Sequence, residues 1–290
     1  MNDWRNYIDS IGSRAHTVRG TLKVLQQLRS PQLGNRRDIL VYLPPSYATS
    51  EKRYPVVYMH DGQNLFDAAA SFCGEWKVDE TLEAASATGL EAIVVGIPNT
   101  GTERLNEYSP FADPRRGGGK GDRYLRFVVD TLKPRIDRDF RTLTNRENTG
   151  IMGSSMGGLI SLYAYFRYTD VFGFVGAMSP SIWFAARAIV PYIQRAPLVP
   201  GRIYLDMGTA EGAFMLADAQ RMEALLQRKG YRLEHNLRFV EAKDAPHSET
   251  AWSMRFGPAL EFLLKHVPHP ALLHDPRMPA HQLSSGGLST

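Results

Sequence analysis

The feature that most limits what this chain can become is an alternation. Seven apolar runs of strand length, at 39–43, 56–60, 92–97, 149–153, 174–178, 203–207 and 236–240, are separated by stretches of helical character at 77–87, 122–137, 156–168, 184–193, 213–229 and 249–265. Most of the runs are continuously apolar, as strands buried on both faces must be. Strands alternating with helices predict an α/β architecture: a mostly parallel, twisted sheet with helices on both faces. The opening segment breaks the pattern. Residues 20–28 and 37–43 form two extended runs joined by Pro31-Gln32-Leu33-Gly34-Asn35, a turn composition that predicts antiparallel strands entering the sheet. Past Val267, the prolines 268, 270, 276 and 279 and the run Ser284-Ser285-Gly286-Gly287 leave little apolar periodicity. The expected organisation is an N-terminal segment at 1–18, one α/β domain at 19–267 and a disordered tail at 268–290.

Within this frame, Gly153-Ser154-Ser155-Met156-Gly157 places Gly-x-Ser-x-Gly at the junction of a predicted strand and a predicted helix. A turn that sharp forces its serine into a strained conformation, and glycines two residues to either side keep side chains clear of strand and helix. Ser155 is therefore the expected nucleophile. The helix that starts at Met156 aims its first amides at the reacting carbonyl, which makes the Met156 N–H an oxyanion donor. A serine hydroxyl needs an imidazole to take its proton. His247, in the polar loop Lys243-Asp244-Ala245-Pro246-His247-Ser248 between the last predicted strand and the last helix, is the expected base. The orienting acid should follow a strand lying between the two. Glu211, just past the strand at 203–207, is favoured over Asp206 within it, with Asp218 and Asp244 as further candidates.

The second oxyanion donor is expected where the strand ending at His60 runs into Asp61-Gly62-Gln63-Asn64, with the Gln63 amide as donor and Gly62 allowing close approach. Trp76, Tyr108 and Trp183 lie near predicted strand ends and are expected to wall a substrate pocket. Arg104 could hold an anionic or polar substrate group, or pair with Glu103 or Glu107. Arg115-Arg116-Gly117-Gly118-Gly119-Lys120-Gly121 lacks the Gly-Lys-Ser/Thr ending of a phosphate loop and reads as a loop into a helix. His266 and His269 have metal-like spacing without a completing Cys or acid, so no metal is expected.

Composition narrows the partners. The formal charge of +4, from 34 basic and 30 acidic side chains spread along the chain, gives no basic block for nucleic acid. Cys73 is the only cysteine, so no internal disulfide can form. Residues 1–15 carry no apolar core of a leader peptide, and nowhere do eighteen apolar residues run together. A cytoplasmic protein that does not enter membranes is expected; oligomeric state is not set by the sequence.

Several separated motifs then occur in an order that resembles the "Putative esterase" family of α/β-hydrolases, which includes enterochelin esterase-like, feruloyl esterase, acetylxylan esterase and esterase D proteins. They are Ser30 to Arg37, Tyr42-Leu43-Pro44-Pro45-Ser46-Tyr47, His60-Asp61-Gly62-Gln63-Asn64-Leu65-Phe66, Arg104 to Tyr108, Gly153 to Gly158, Ser179 to Trp183, and His247 with Trp252. The resemblance implies the α/β-hydrolase fold and a serine carboxylic ester hydrolase without metal or organic cofactor. It places the acid in a Gly-Thr-x-Asp/Glu turn, matched here by Gly208-Thr209-Ala210-Glu211. The implied substrates are small-molecule or oligosaccharide-linked esters: aryl, hydroxycinnamoyl, acetyl or siderophore-type. An acyltransferase would use the same residues, and a binding protein on a hydrolase scaffold would be expected to have lost one of them.

Overall fold

The computed structural model describes residues 3–11 and 15–264. Nine strands form one sheet: β1 (Arg5–Asn6), β2 (Thr21–Ser30), β3 (Asn35–Leu43), β4 (Val56–His60), β5 (Ile93–Ile97), β6 (Thr149–Ser154), β7 (Phe174–Met178), β8 (Arg202–Gly208) and β9 (Leu237–Ala242). Their spatial order is β1-β2-β3-β5-β4-β6-β7-β8-β9. From β5 to β9 all neighbours run parallel, while β1, β2 and β3 are antiparallel to their partners. The mostly parallel α/β sheet with an antiparallel entry is the architecture expected from the alternation. The β2–β3 turn closes with the Gly34 N–H donating to Ser30 O at 2.9 Å, and Gly34 takes the left-handed conformation its missing Cβ permits.

The continuous apolar runs feed two cores at once. Tyr58, Val95, Ile151, Val175 and Leu205 point to one face, where they meet Leu125, Val128, Leu159 and Met222. Val57, Val94, Met152, Phe174 and Tyr204 alternate to the other, against Leu82, Trp252, Phe256 and Leu260. The second face is covered by α1 (Val78–Ser86) and α4 (Glu249–Leu264), which also touch each other. The first is covered by α2 (Met156–Arg167) and α3 (Ala213–Lys229), with the helical run that begins at Gly121–Arg126. That run is interrupted by a π-helical turn at Phe127–Leu132 before resuming as Lys133–Asp139, so the single helix expected at 122–137 is three consecutive pieces.

Three further differences from expectation are local. Residues 1–18 read as a leading segment, yet β1 pairs with β2 and both Trp4 and Tyr7 are buried in the core. A two-residue strand is too short to carry a period. The expected loop at 115–121 contains half of a small hairpin, Ala112–Asp113 against Gly117–Gly118. The helix expected at 184–193 is broken into Phe184–Arg187 and Ile189–Arg195, with Ala185, Ala186 and Arg187 all at positive φ. The expected tail at 268–290 lies outside the described residues. No helix among the described residues is long and apolar enough to cross a membrane.

Candidate active site

Parallel strands end on one edge of the sheet, and the chemistry collects there. Ser155 is the residue between β6 and α2, with φ 57° and ψ −121°, a conformation that only an overdetermined turn can hold. Every residue of α2 from Met156 to Phe166 is buried, so this helix is wedged against the sheet and the turn has a rigid support. The flanking glycines are there for space. A Cβ on Gly153 would stand 2.9 Å from His60 Cδ2, and one on Gly157 would stand 3.2 Å from His60 Cβ. His60 is thus the floor of the turn. Burial holds its imidazole neutral, with its protonation pushed down to about 3, and its Nδ1 pairs with the Tyr124 hydroxyl at 2.7 Å.

His247 Nδ1 lies 2.6 Å from Glu211 Oε2. The Glu211 carboxylate is almost fully buried, at 1% side-chain exposure, while His247 keeps 37% of its side chain open to solvent and to a ligand. Burial alone would raise the Glu211 pKa. The bonds from His247, the Ser179 hydroxyl and the Gly208 N–H outweigh burial and hold it below the usual glutamate value. The Glu211 turn and the His247 loop are tied by the Ala210 N–H donating to Ala245 O at 3.3 Å and the Asp244 N–H donating to Thr209 Oγ1 at 2.8 Å. Gly208 makes this possible, because a Cβ there would meet Ala245 O at 2.1 Å.

The segment after β7 joins this pair to the serine. Ser155 N–H donates to Met178 O and Ser181 N–H donates to Ser155 O, both at 3.0 Å, while the Ser179 hydroxyl donates to Glu211 Oε1 at 2.6 Å. The Ser155 hydroxyl itself is hydrogen-bonded to the Ser181 hydroxyl at 3.3 Å, not to His247. The alternative acids are engaged elsewhere. Asp206 is fully buried and paired with Arg255 at 2.8 Å, Asp218 is bonded by Arg187 at 2.7 Å, and Asp244 uses its backbone, not its carboxylate, to hold the loop.

On the other side of Ser155, β4 is followed by Asp61, at φ 55°, and the 3₁₀ turn Gly62–Asn64. The Gln63 amide in this turn and the Met156 amide at the start of α2 both occupy helix-start positions whose N–H groups have no intrahelical acceptor. The turn is clamped. Arg104 donates to both Asp61 carboxylate oxygens, at 2.8 and 2.7 Å, Asn99 Nδ2 adds a third bond at 2.7 Å, and the Asp61 N–H donates to the Tyr108 hydroxyl at 3.0 Å. Burial works against the Asp61 charge, and the Arg104 and Asn99 bonds more than offset it, so its pKa is lowered.

This arrangement corrects three pocket expectations. Tyr108 is fully buried, its ring packed at a tilt against His60 and Tyr124, and offers no surface to a ligand. Trp76 is buried against Trp252 and Phe256 on the opposite face of the sheet from α2. Arg104 binds Asp61 through Nε and Nη2; Glu103 pairs instead with Lys120 and Glu107 with Arg37. Trp183 remains part-exposed, packed on the buried core, with the Arg116 guanidinium 5.4 Å from its ring centre. Sequence reasoning gave no role to Ser179, although it opens the 179–183 motif, and did not single out Arg255.

With this geometry in view, the comparisons with known proteins are specific. The Esterase family model matches residues 30–263. The uncharacterised protein YbbA of Bacillus subtilis is 30% identical over 251 residues, covering 81% of this chain and 95% of that protein. The ferri-bacillibactin esterase BesA of the same organism is 28% identical over 189 residues, which are 59% of this chain and 61% of BesA. Among solved structures, the BES protein from Bacillus cereus superposes with a TM-score of 0.68 at 21% identity, covering 88% of this chain and 99% of its own. The chain belongs to the Esterase family and is a carboxylesterase of the α/β-hydrolase fold.

Proposed function

We propose that the chain hydrolyses small-molecule carboxylic esters through an acyl-enzyme, with Ser155 as nucleophile, His247 as general base, Glu211 as the orienting acid, and the Met156 and Gln63 amides as oxyanion donors. The observation that carries this reading is the 2.6 Å bond between His247 Nδ1 and a buried Glu211, tied through the 179–181 segment to a serine held at φ 57°. That bond fixes the imidazole tautomer, leaving Nε2 as the acceptor. When ester enters, the Ser155 hydroxyl leaves Ser181 and gives its proton to His247 Nε2. Oγ forms a bond to the carbonyl carbon as that proton moves. The carbonyl oxygen becomes an oxyanion between the two amides, and its collapse expels the alcohol, which takes the proton back. Water, deprotonated by His247, attacks the acyl-serine, and the carboxylic acid leaves as His247 returns the proton to Ser155 Oγ.

The part-exposed Trp183 ring, two residues beyond Ser181, favours esters with a flat acyl group of aryl or hydroxycinnamoyl type, and the similarity to BesA keeps siderophore-type esters among the substrates to be assayed. A lone thiol suits a reducing compartment, so the reaction is assigned to the cytoplasm. Purified protein and Ser155→Ala are assayed on p-nitrophenyl acetate, a methyl hydroxycinnamate and a catecholate lactone. The expected result is turnover by the wild type and a loss of at least about 10³-fold in kcat for the variant. Equal rates for both proteins would remove Ser155 from the mechanism.

A further inference from the structure

Ser179 is fully buried, sits directly after β7 and adopts φ 43°, a conformation that disfavours any side chain. Its hydroxyl has three partners. It donates to Glu211 Oε1 at 2.6 Å, and it accepts from Trp252 Nε1 at 2.9 Å and from Arg255 Nη2 at 3.1 Å. An indole N–H and a guanidinium have only protons to give, so both lone pairs of the Ser179 oxygen are taken and its one proton has a single destination. That destination is the carboxylate facing His247.

Arg255 is held in turn by Asp206, through Nε to Oδ2 at 2.8 Å and Nη2 to Oδ1 at 3.2 Å, and Asp206 Oδ1 also accepts the Ser179 N–H at 2.9 Å. One buried ion pair therefore fixes both the backbone and the hydroxyl of Ser179. The Trp252 indole that donates to Ser179 also meets the His247 ring edge to face at 4.8 Å.

We propose that Ser179 is a positioning residue of the active site: its locked hydroxyl proton keeps the Glu211 carboxylate charged and turned so that Oε2 faces His247 Nδ1. This rests on the reading of Glu211 and His247 as a working pair. Glu211 Oε1 accepts from Ser179 and from the Gly208 N–H, which leaves Oε2 as the oxygen presented to the base. Losing the Ser179 donor frees the carboxylate to turn. It also returns electron density to the carboxylate, which makes the pair harder to deprotonate.

Two substitutions at this position separate the hydroxyl from the backbone. Ser179→Gly suits the positive φ and deletes the donor; Ser179→Thr keeps the donor and adds a branch that the φ disfavours. With p-nitrophenyl acetate, Ser179→Gly is expected to lose about 10- to 100-fold in kcat with KM changed less than about twofold, and the acidic limb of kcat/KM is expected to move up by about one pH unit. Ser179→Thr is expected to retain more activity than Ser179→Gly despite lower stability. If Ser179→Gly keeps the wild-type kcat and pH profile, Ser179 is only a turn residue and the proposal is overturned; this arm decides even if the threonine variant fails to fold. Glu211→Ala, run in parallel, guards the premise. Full activity there overturns the pairing of Glu211 with His247 itself, whereas an inactive Glu211→Ala beside a fully active Ser179→Gly overturns the positioning role alone.

Discussion

An oxyanion donor that is a backbone amide cannot be deleted by changing its side chain, but Gly62 offers a way to displace one. A Cβ added at Gly62 would stand 2.6 Å from Gly96 C and Ile97 N and 2.7 Å from Pro98 N. All three are backbone atoms at the end of β5, so no flexible side chain can yield. Ordinary contact begins near 3.4 Å, and Gly62→Ala must therefore drive the 62–64 turn away from β5 by about 0.8 Å. The Gln63 amide moves with that turn. A misplacement near 1 Å costs about 10²-fold in rate, which is also the lower end for losing one oxyanion donor, so kcat on p-nitrophenyl acetate is expected to fall by about 10²-fold while KM stays within about threefold. Overpacking should lower stability by only ~1–3 kcal/mol. Labelling with a fluorophosphonate would verify that Ser155 is still reactive, and thermal melts would verify the fold. A folded Gly62→Ala enzyme with kcat within twofold of wild type would refute the assignment of Gln63 as donor.

Two other consequences follow from buried charges. Because Arg104 binds Asp61 through Nε and Nη2, Arg104→Gln is expected to lower stability by ~2–4 kcal/mol and to lower kcat for neutral and anionic esters alike; a rise in KM confined to anionic esters, with an unchanged melting temperature, would restore a direct substrate contact. Asp79 is fully buried at the start of α1, and burial together with the neighbouring Glu80 pushes its pKa up from 3.8 to about 8, against the Arg19 N–H bond that lowers it. The folded state then keeps a proton that the unfolded chain has lost, so this group makes stability fall as pH rises from about 4 to about 8. Asp79→Asn should consequently gain in melting temperature over wild type by more at pH 8 than at pH 5, and an equal difference at both would refute the shift.

The sheet was legible because its strands are buried on both faces, which writes them as unbroken apolar runs; β4 and β7 lie where 56–60 and 174–178 place them. Ser155 was legible because its turn demands glycines at fixed offsets. The pocket was not. An aromatic residue near a strand end has the same appearance in sequence whether it faces a ligand or the core, and Tyr108 and Trp76 face the core. Arg104 reads as a substrate contact or a partner of Glu103 or Glu107 because its partner Asp61 lies 43 residues away, across a turn whose left-handed conformation no pattern announces. Ser179 was hidden for the same reason: what matters is the direction of one proton, set by an indole 73 residues on and a guanidinium 76 residues on.

Three neighbouring strands of the parallel sheet, β4, β6 and β7, are each followed by a residue at positive φ that is not glycine: Asp61, Ser155 and Ser179, at φ 55°, 57° and 43°. Strain of this kind costs about 1–3 kcal/mol per residue, and glycine would relieve it at every one of these positions. Each side chain instead does something glycine cannot. Asp61 accepts bonds from Arg104 and so sets the 62–64 turn, Ser155 carries the hydroxyl at the strand-to-helix turn, and Ser179 directs a proton at Glu211. The left-handed turn is also what brings them together, since it bends the chain sharply at the strand end and leaves the side chain at the edge of the sheet where the neighbouring strand does the same. Local conformational preference has been overruled at three adjacent points along one edge, with the surrounding buried hydrogen bonds supplying the compensation.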